Sequence, residues 1–171
     1  MLRPSAICKF LGEVENAELK EFMEWYFHED SIRLKPPQDN ILLLDGGTMV
    51  VLYREGQFQV EMVTGPPNFQ IPEHTHDDVD SYEVCLSGSL ELYANGIQAG
   101  FIRTPRSDGI SRSFAQFVPI SSSCVHGGRA GPEGACFLSI QRWRDGVKPT
   151  HVALNWNGKS FGDQHKKALN A

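Results

Sequence analysis

Short apolar runs, each closed by a glycine- or proline-bearing turn, follow one another from Ile41 to Leu154 with no alternating helical segment between them. The runs are Ile41 to Leu44, Thr48 to Arg54, Gln57 to Val63, Tyr82 to Leu86, Ser89 to Tyr93, Ile97 to Arg103, Ser113 to Val118, Ala135 to Arg142 and His151 to Leu154. Asp45-Gly46-Gly47, Glu55-Gly56, Gly65-Pro66-Pro67, Ala94-Asn95-Gly96 and Asp145-Gly146 separate them, supplying Gly or Pro where a backbone must reverse. Strands this short and this evenly spaced predict an all-β antiparallel sandwich or barrel.

One helix precedes the strands. Leu19, Phe22, Met23, Tyr26 and Phe27 recur at helical spacing with Glu18, Glu21 and Glu24 between them, and Asn16 supplies an N-cap. The aromatic stripe is a docking face for the core. "KPPQDN" then breaks the chain, so residues 1–40 are read as helix and linker, 41–154 as the β-domain and 155–171 as a polar tail. "RTPRSDGISRS" from Arg103 reads as an exposed loop, and the sequence holds no internal repeat or low-complexity tract.

With 171 residues, 40% of them hydrophobic, the chain makes one domain of ordinary size. A net charge of -5 with scattered Lys and Arg supplies no basic field, so nucleic acid is not expected as a partner. The N-terminus turns polar and acidic too early for a signal peptide, and no apolar run approaches the ~20 residues that span a bilayer. The expectation is a cytoplasmic protein with no membrane partner. Cys8, Cys85, Cys124 and Cys136 lack CxxC spacing and are read as buried, reduced thiols.

The chemistry concentrates in "IPEHTHDDVDSYEVCLSGSLELYANG", residues 71–96. On extended backbone, residues i and i+2 share a face, so the rings of His74 and His76 can converge on one point. An isolated HxH is most often a surface accident, since exposed histidines need no partner. Here a proline and an acidic residue lead into the pair, a glycine and a hairpin follow, and His126 sits in a glycine-rich "HGG" stretch about fifty residues on. That context predicts that His74, His76 and His126 ligate one divalent transition metal. Imidazole suits Fe(II), Zn, Ni, Cu or Mn.

These residues resemble the cupin superfamily, small jelly-roll β-barrels that hold a metal between two sheets. The family's first motif, G-x5-H-x-H-x3,4-E-x6-G, is matched at His74, His76 and the closing Gly88, and "FVPISSSCVHGG" supplies Pro119 and His126 for the second. The resemblance covers roughly residues 41–145 and implies a single jelly-roll barrel with the helix packed outside. The chain departs from the pattern at five points, one of them a turn between Pro119 and His126 that is two residues longer than the family's. Gly65 lies too far upstream to be the first glycine, Ser81 stands where the motif has its glutamate, and Ser123 and Ala130 replace the second motif's glycine and asparagine.

Glu83 lies two residues beyond Ser81 on the same face, inside an apolar strand where an unpaired carboxylate would be costly. It is read as a catalytic acid-base group near the metal rather than its strongest ligand. Gln70 shares the parity of the histidines and is read as substrate-binding. Asp77, Asp78 and Asp80 form an acidic rim, with Asp80 a further carboxylate in reach of the metal if the loop bulges, while His28, His151 and His165 are read as solvated. Loss of the motif glutamate resembles the three-histidine dioxygenases of the superfamily, which implies a non-haem Fe(II) dioxygenase acting on a small anionic metabolite. A metal-dependent isomerase, lyase or hydrolase using Glu83, or a non-catalytic small-ligand-binding cupin, stands as the alternative. Open edges at the first two strands predict a homodimer.

Overall fold

The computed structural model describes residues 11, 14–28, 33–38, 40–44, 46–95, 97–103 and 117–149. The expected strand at 151–154, the loop over 104–113, the tail from 155, and His151 and His165 lie outside them. Helix α1 (Ala17–Tyr26) starts where the sequence places it, with the Asn16 side-chain oxygen accepting from the Leu19 N–H at 3.0 Å. Eight strands follow: β1 (Ile41–Leu44), β2 (Gly47–Glu55), β3 (Phe58–Gly65), β4 (Gln70–His74), β5 (Val79–Ala94), β6 (Ile97–Arg103), β7 (Phe117–Ile120) and β8 (His126–Trp143).

All strand pairs are antiparallel, and β5 and β8 form the spine. These two long strands run side by side from Val79↔Trp143 to Ala94↔His126. Their register breaks between Gly88↔Ala135 and Leu90↔Ala130, where the ribbon bends. Gly88 (φ +71°) and Gly134 (φ +79°) occupy the left-handed region at the bend, and a Cβ on Gly88 would lie 2.1 Å from the Gly134 carbonyl oxygen. Only glycine tolerates both conditions.

The bend divides the strands into two layers. Below it, β3 flanks β8 and β7 flanks β5, giving the order β1-β2-β3-β8-β5-β7; above it, β4 flanks β8 and β6 flanks β5. Among the described residues the ladder ends at β1 and β6 and does not close on itself. Cys85, Val63 and Phe137 of the lower layer pack with Leu90, Leu92 and Ala130 of the upper one, so the two inner faces meet.

Strand alternation places an unusual set on each side of the lower layer. Val60, Tyr82, Val84, Leu138 and Ile140 face outward, with Phe58 and Met62 packed beside them, and α1 covers them with Leu19, Phe22, Met23 and Tyr26. Phe22 stacks on Phe58 with ring centroids 4.3 Å apart. The alternate positions, facing inward, are polar: Gln59, Glu61, Ser81, Glu83, Ser139 and Gln141, all buried. A helix on the outer face therefore lets this layer bury apolar side chains outside and keep a polar floor inside. Among the described residues, no helix is long and apolar enough to cross a membrane, and Cys85, Cys124 and Cys136 are free thiols.

Candidate metal centre

The upper layer carries the histidines. His74 ends β4 and pairs directly with His126, the first residue of β8, while His76 follows β4 by two residues. Gly127 makes that pairing possible, since a Cβ there would meet the Ile71 carbonyl oxygen at 2.8 Å. Ring centroids lie 4.2 Å apart for His74 and His126, 5.0 Å for His74 and His76 and 5.5 Å for His76 and His126. One nitrogen from each ring falls within 4.8 Å of the others, and among the described residues no carboxylate or thiol joins this group.

The hydrogen bonds fix how the rings are presented. His74 Nδ1 lies 2.7 Å from the Pro72 carbonyl oxygen and His126 Nδ1 lies 2.9 Å from that of Cys124. A carbonyl only accepts, so each Nδ1–H donates and each Nε2 keeps its lone pair, the tautomer a metal requires. Burial, with the neighbouring imidazoles, holds His74 at a pKa of about 3, and burial holds His126 at about 4. Both rings are thus neutral throughout the physiological range. Three imidazole nitrogen donors at this spacing fit a borderline transition metal.

Opposite the histidines lies the polar floor, and the two enclose a cavity of about 70 Å³. Its rows follow the register: Glu61, Ser139 and Glu83 lie side by side, and Gln59, Gln141 and Ser81 form the next row. Glu83 Oε1 accepts from the hydroxyls of Ser81 (2.9 Å) and Ser139 (2.8 Å). Burial raises the Glu83 pKa to about 7, against the lowering effect of the two hydroxyls. Leu44, Met49, Val63, Ile71, Leu92 and Phe137 supply apolar walls.

Glu83 and Ser81 therefore face inward, where strand parity places them, and share one cavity with the three histidines. Gln70 does not: it is exposed, its amide turned 3.4 Å from the Asn68 carbonyl oxygen. The reason is an extra residue in β4 between Ile71 and His74, which shifts the register and turns Ile71 rather than Gln70 inward. Asp80 is held elsewhere, its Oδ1 accepting from the Ser122 N–H at 3.0 Å, and Asp78 pairs with Arg144 at 3.1 Å on the rim. Ser123 adopts φ +61°, the conformation the second motif's glycine would supply. Sequence reading missed Gln59, Glu61, Ser139 and Gln141. The signal was present as alternation, polar at one parity and apolar at the other, in "FQVEM" and "LSIQ".

No family model and no curated protein matches the sequence. Solved structures do match in fold. KdgF from Halomonas sp. superposes with a TM-score of 0.52 at 10% identity, covering 68% of this chain and 96% of that one. An RmlC-like cupin from Shewanella frigidimarina gives 0.50 at 10% identity over 66% and 91%, and an 11S allergen from Cocos nucifera gives 0.50 at 17% over 64% and 32%. The likeness is one of architecture, and it agrees with the bent antiparallel spine: the fold is of the cupin type.

Proposed function

We propose that His74, His76 and His126 hold one divalent transition metal, Fe(II) in preference to Zn, Ni, Mn or Cu, and that the protein is a dioxygenase of a small anionic metabolite. The observation that carries this reading is a gathered set of three imidazoles with no carboxylate among them from the described residues. When bound, such an ion keeps its full charge and open positions, which suits an anionic substrate and redox chemistry. The chain's own residues do the rest. Pro72 O and Cys124 O orient two of the rings, the apolar walls exclude water, and Glu83 exchanges a proton with the ligand from the facing layer.

Glu83 also supports a second reading. A carboxyl held at about 7 both gives and takes protons near neutrality, as a metal-dependent isomerase, lyase or hydrolase requires. Oxygen consumption by the Fe(II)-loaded protein against small thiols, diketones and phenolic acids separates the two. Uptake with one of these substrates is expected; turnover under strict anaerobiosis would favour the second reading, and tight binding without turnover would favour a non-catalytic carrier.

The same proposal includes a closed barrel over 41–154 as a single domain, a homodimer and a cytoplasmic location. Exposed Ile41 on β1, at one end of the strand order, supports pairing with a second copy. Light scattering at micromolar concentration checks it, and a monomeric mass would count against it.

A further inference from the structure

The floor opposite the histidines has a direction, read from who donates to whom. Arg54 Nε donates to Gln59 Oε1, and Gln59 Nε2 donates to Glu61 Oε1 (2.8 Å) and Gln141 Oε1 (3.0 Å). Trp143 Nε1 also donates to Gln141 Oε1 (3.0 Å), and Gln141 Nε2 donates to Glu61 Oε2 (2.8 Å) and Ser139 Oγ (3.2 Å). Ser139 and Ser81 then donate to Glu83 Oε1. Both hydrogens of each amide are spent inside the lattice, and so are the two serine hydroxyl hydrogens. What the lattice turns toward the cavity is chiefly Glu83 Oε2, which receives no hydrogen bond from a described residue and is an acceptor once the carboxyl is ionised.

Charge points the same way. Among the described residues the lining contains two carboxyl groups, Glu61 and Glu83, and neither a lysine nor an arginine; Arg54 donates to Gln59 and is not among the lining residues. Across the cavity, three imidazoles bring no negative charge of their own, which suits an anionic group on the ion they would hold. The two layers thus make opposite demands on the two ends of one small molecule.

We infer that the site selects a small zwitterion, an anionic group held at the histidine end and a protonated amine held by Glu83 and Glu61 on the facing layer. This rests on the metal reading above and narrows its substrate class. Glu83 is then a specificity-determining residue as well as a proton carrier. A neutral methyl in place of the ammonium leaves the buried Glu83 Oε2 unmatched, and a second carboxylate meets like charge.

Three probes of equal length test it on the Co(II)-loaded protein: 3-aminopropionate, butyrate and succinate, titrated at pH 8, where the Glu83 carboxyl is mostly ionised, by calorimetry and by the visible cobalt spectrum. A hydrogen bond to a charged partner predicts 3-aminopropionate binding about 10-fold or more tighter than butyrate, with succinate weakest. In Glu83→Gln the Gln oxygen can still accept from Ser81 and Ser139 while an N–H replaces Oε2, so the order should invert toward succinate. Glu61→Gln should shrink the ammonium preference to within about 3-fold, and covers the case in which Glu83→Gln fails to fold. Equal affinities for the three probes, or no saturable binding of 3-aminopropionate by cobalt-loaded protein, would overturn the inference and leave the metal centre standing. Failure to take up cobalt at all would remove the metal reading and this inference with it.

Discussion

Replacing Glu83 with Gln should stabilise the metal-free protein at alkaline pH, although the residue lies in the centre of the site. The folded chain holds the Glu83 carboxyl at about 7, raised from its ordinary 4.5 first of all by burial. Between those values the unfolded chain has released the proton and the folded chain still binds it, so stability falls as pH rises. At about 1.4 kcal/mol for each pH unit, the loss is under about 1 kcal/mol at pH 5 and about 3 kcal/mol at pH 8. Gln is neutral and isosteric, and its oxygen can accept from Ser81 and Ser139 as Glu83 does. His74 and His126 are shifted in the opposite sense, destabilising the fold as pH drops below about 6.5, but they are common to both proteins and cancel in the difference. Urea unfolding at pH 5 and pH 8, after exhaustive chelation, should show near-coincident midpoints at pH 5 and a variant midpoint higher by on the order of 1 M at pH 8. Coincident midpoints at both pH values would mean that Glu83 is solvated, and the argument for its role as a poised acid-base group would fall.

Phe22→Ala removes the ring that stacks on Phe58 and should cost about 3–5 kcal/mol; a urea-derived loss under about 1 kcal/mol would mean that α1 is not docked on the sheet. Gly88→Ala should destabilise far more than Gly56→Ala, because both have positive φ but only Gly88 would drive a Cβ to 2.1 Å from a backbone oxygen; thermal midpoints of the two variants decide it. Ser81→Glu places a carboxylate on the cavity wall, where the motif that the sequence resembles has its glutamate, and should tighten metal binding in chelator competition while suppressing oxygen uptake. Unchanged metal affinity would show that this position does not reach the ion.

Local signals carried much of this fold. Asn16 and the 3.6-residue apolar period set α1, and the bounds of β1 and β6 fall where turn residues flank them. What failed was non-local. The sequence divides β5 into two runs, Tyr82 to Leu86 and Ser89 to Tyr93, on either side of Ser87-Gly88, yet Gly88 bends the ribbon without reversing it. "HGGRAGPEG" reads as a loop, and becomes the start of β8 only because β4 and β5 pair with it on both sides. β4 went unread because it is short and contains Pro72, and its extra residue turned the Gln70 expectation inside out. The i, i+2 spacing made His74 and His76 visible together, whereas the direct pairing of His74 with His126 is a property of the folded sheet. The polar floor lay in plain alternation, but deciding which parity faced inward required the helix on the other side.

Metal content tests the central claim most directly. Protein purified without added metal, then loaded with Fe(II) under anaerobic conditions and dialysed against a mild chelator, should retain about one equivalent per chain by elemental analysis. His74→Ala, His76→Ala and His126→Ala should each lose most of it, while His28→Ala, an exposed residue at the end of α1, should keep it. Full retention in the three variants, or no retention in the parent, would contradict the account.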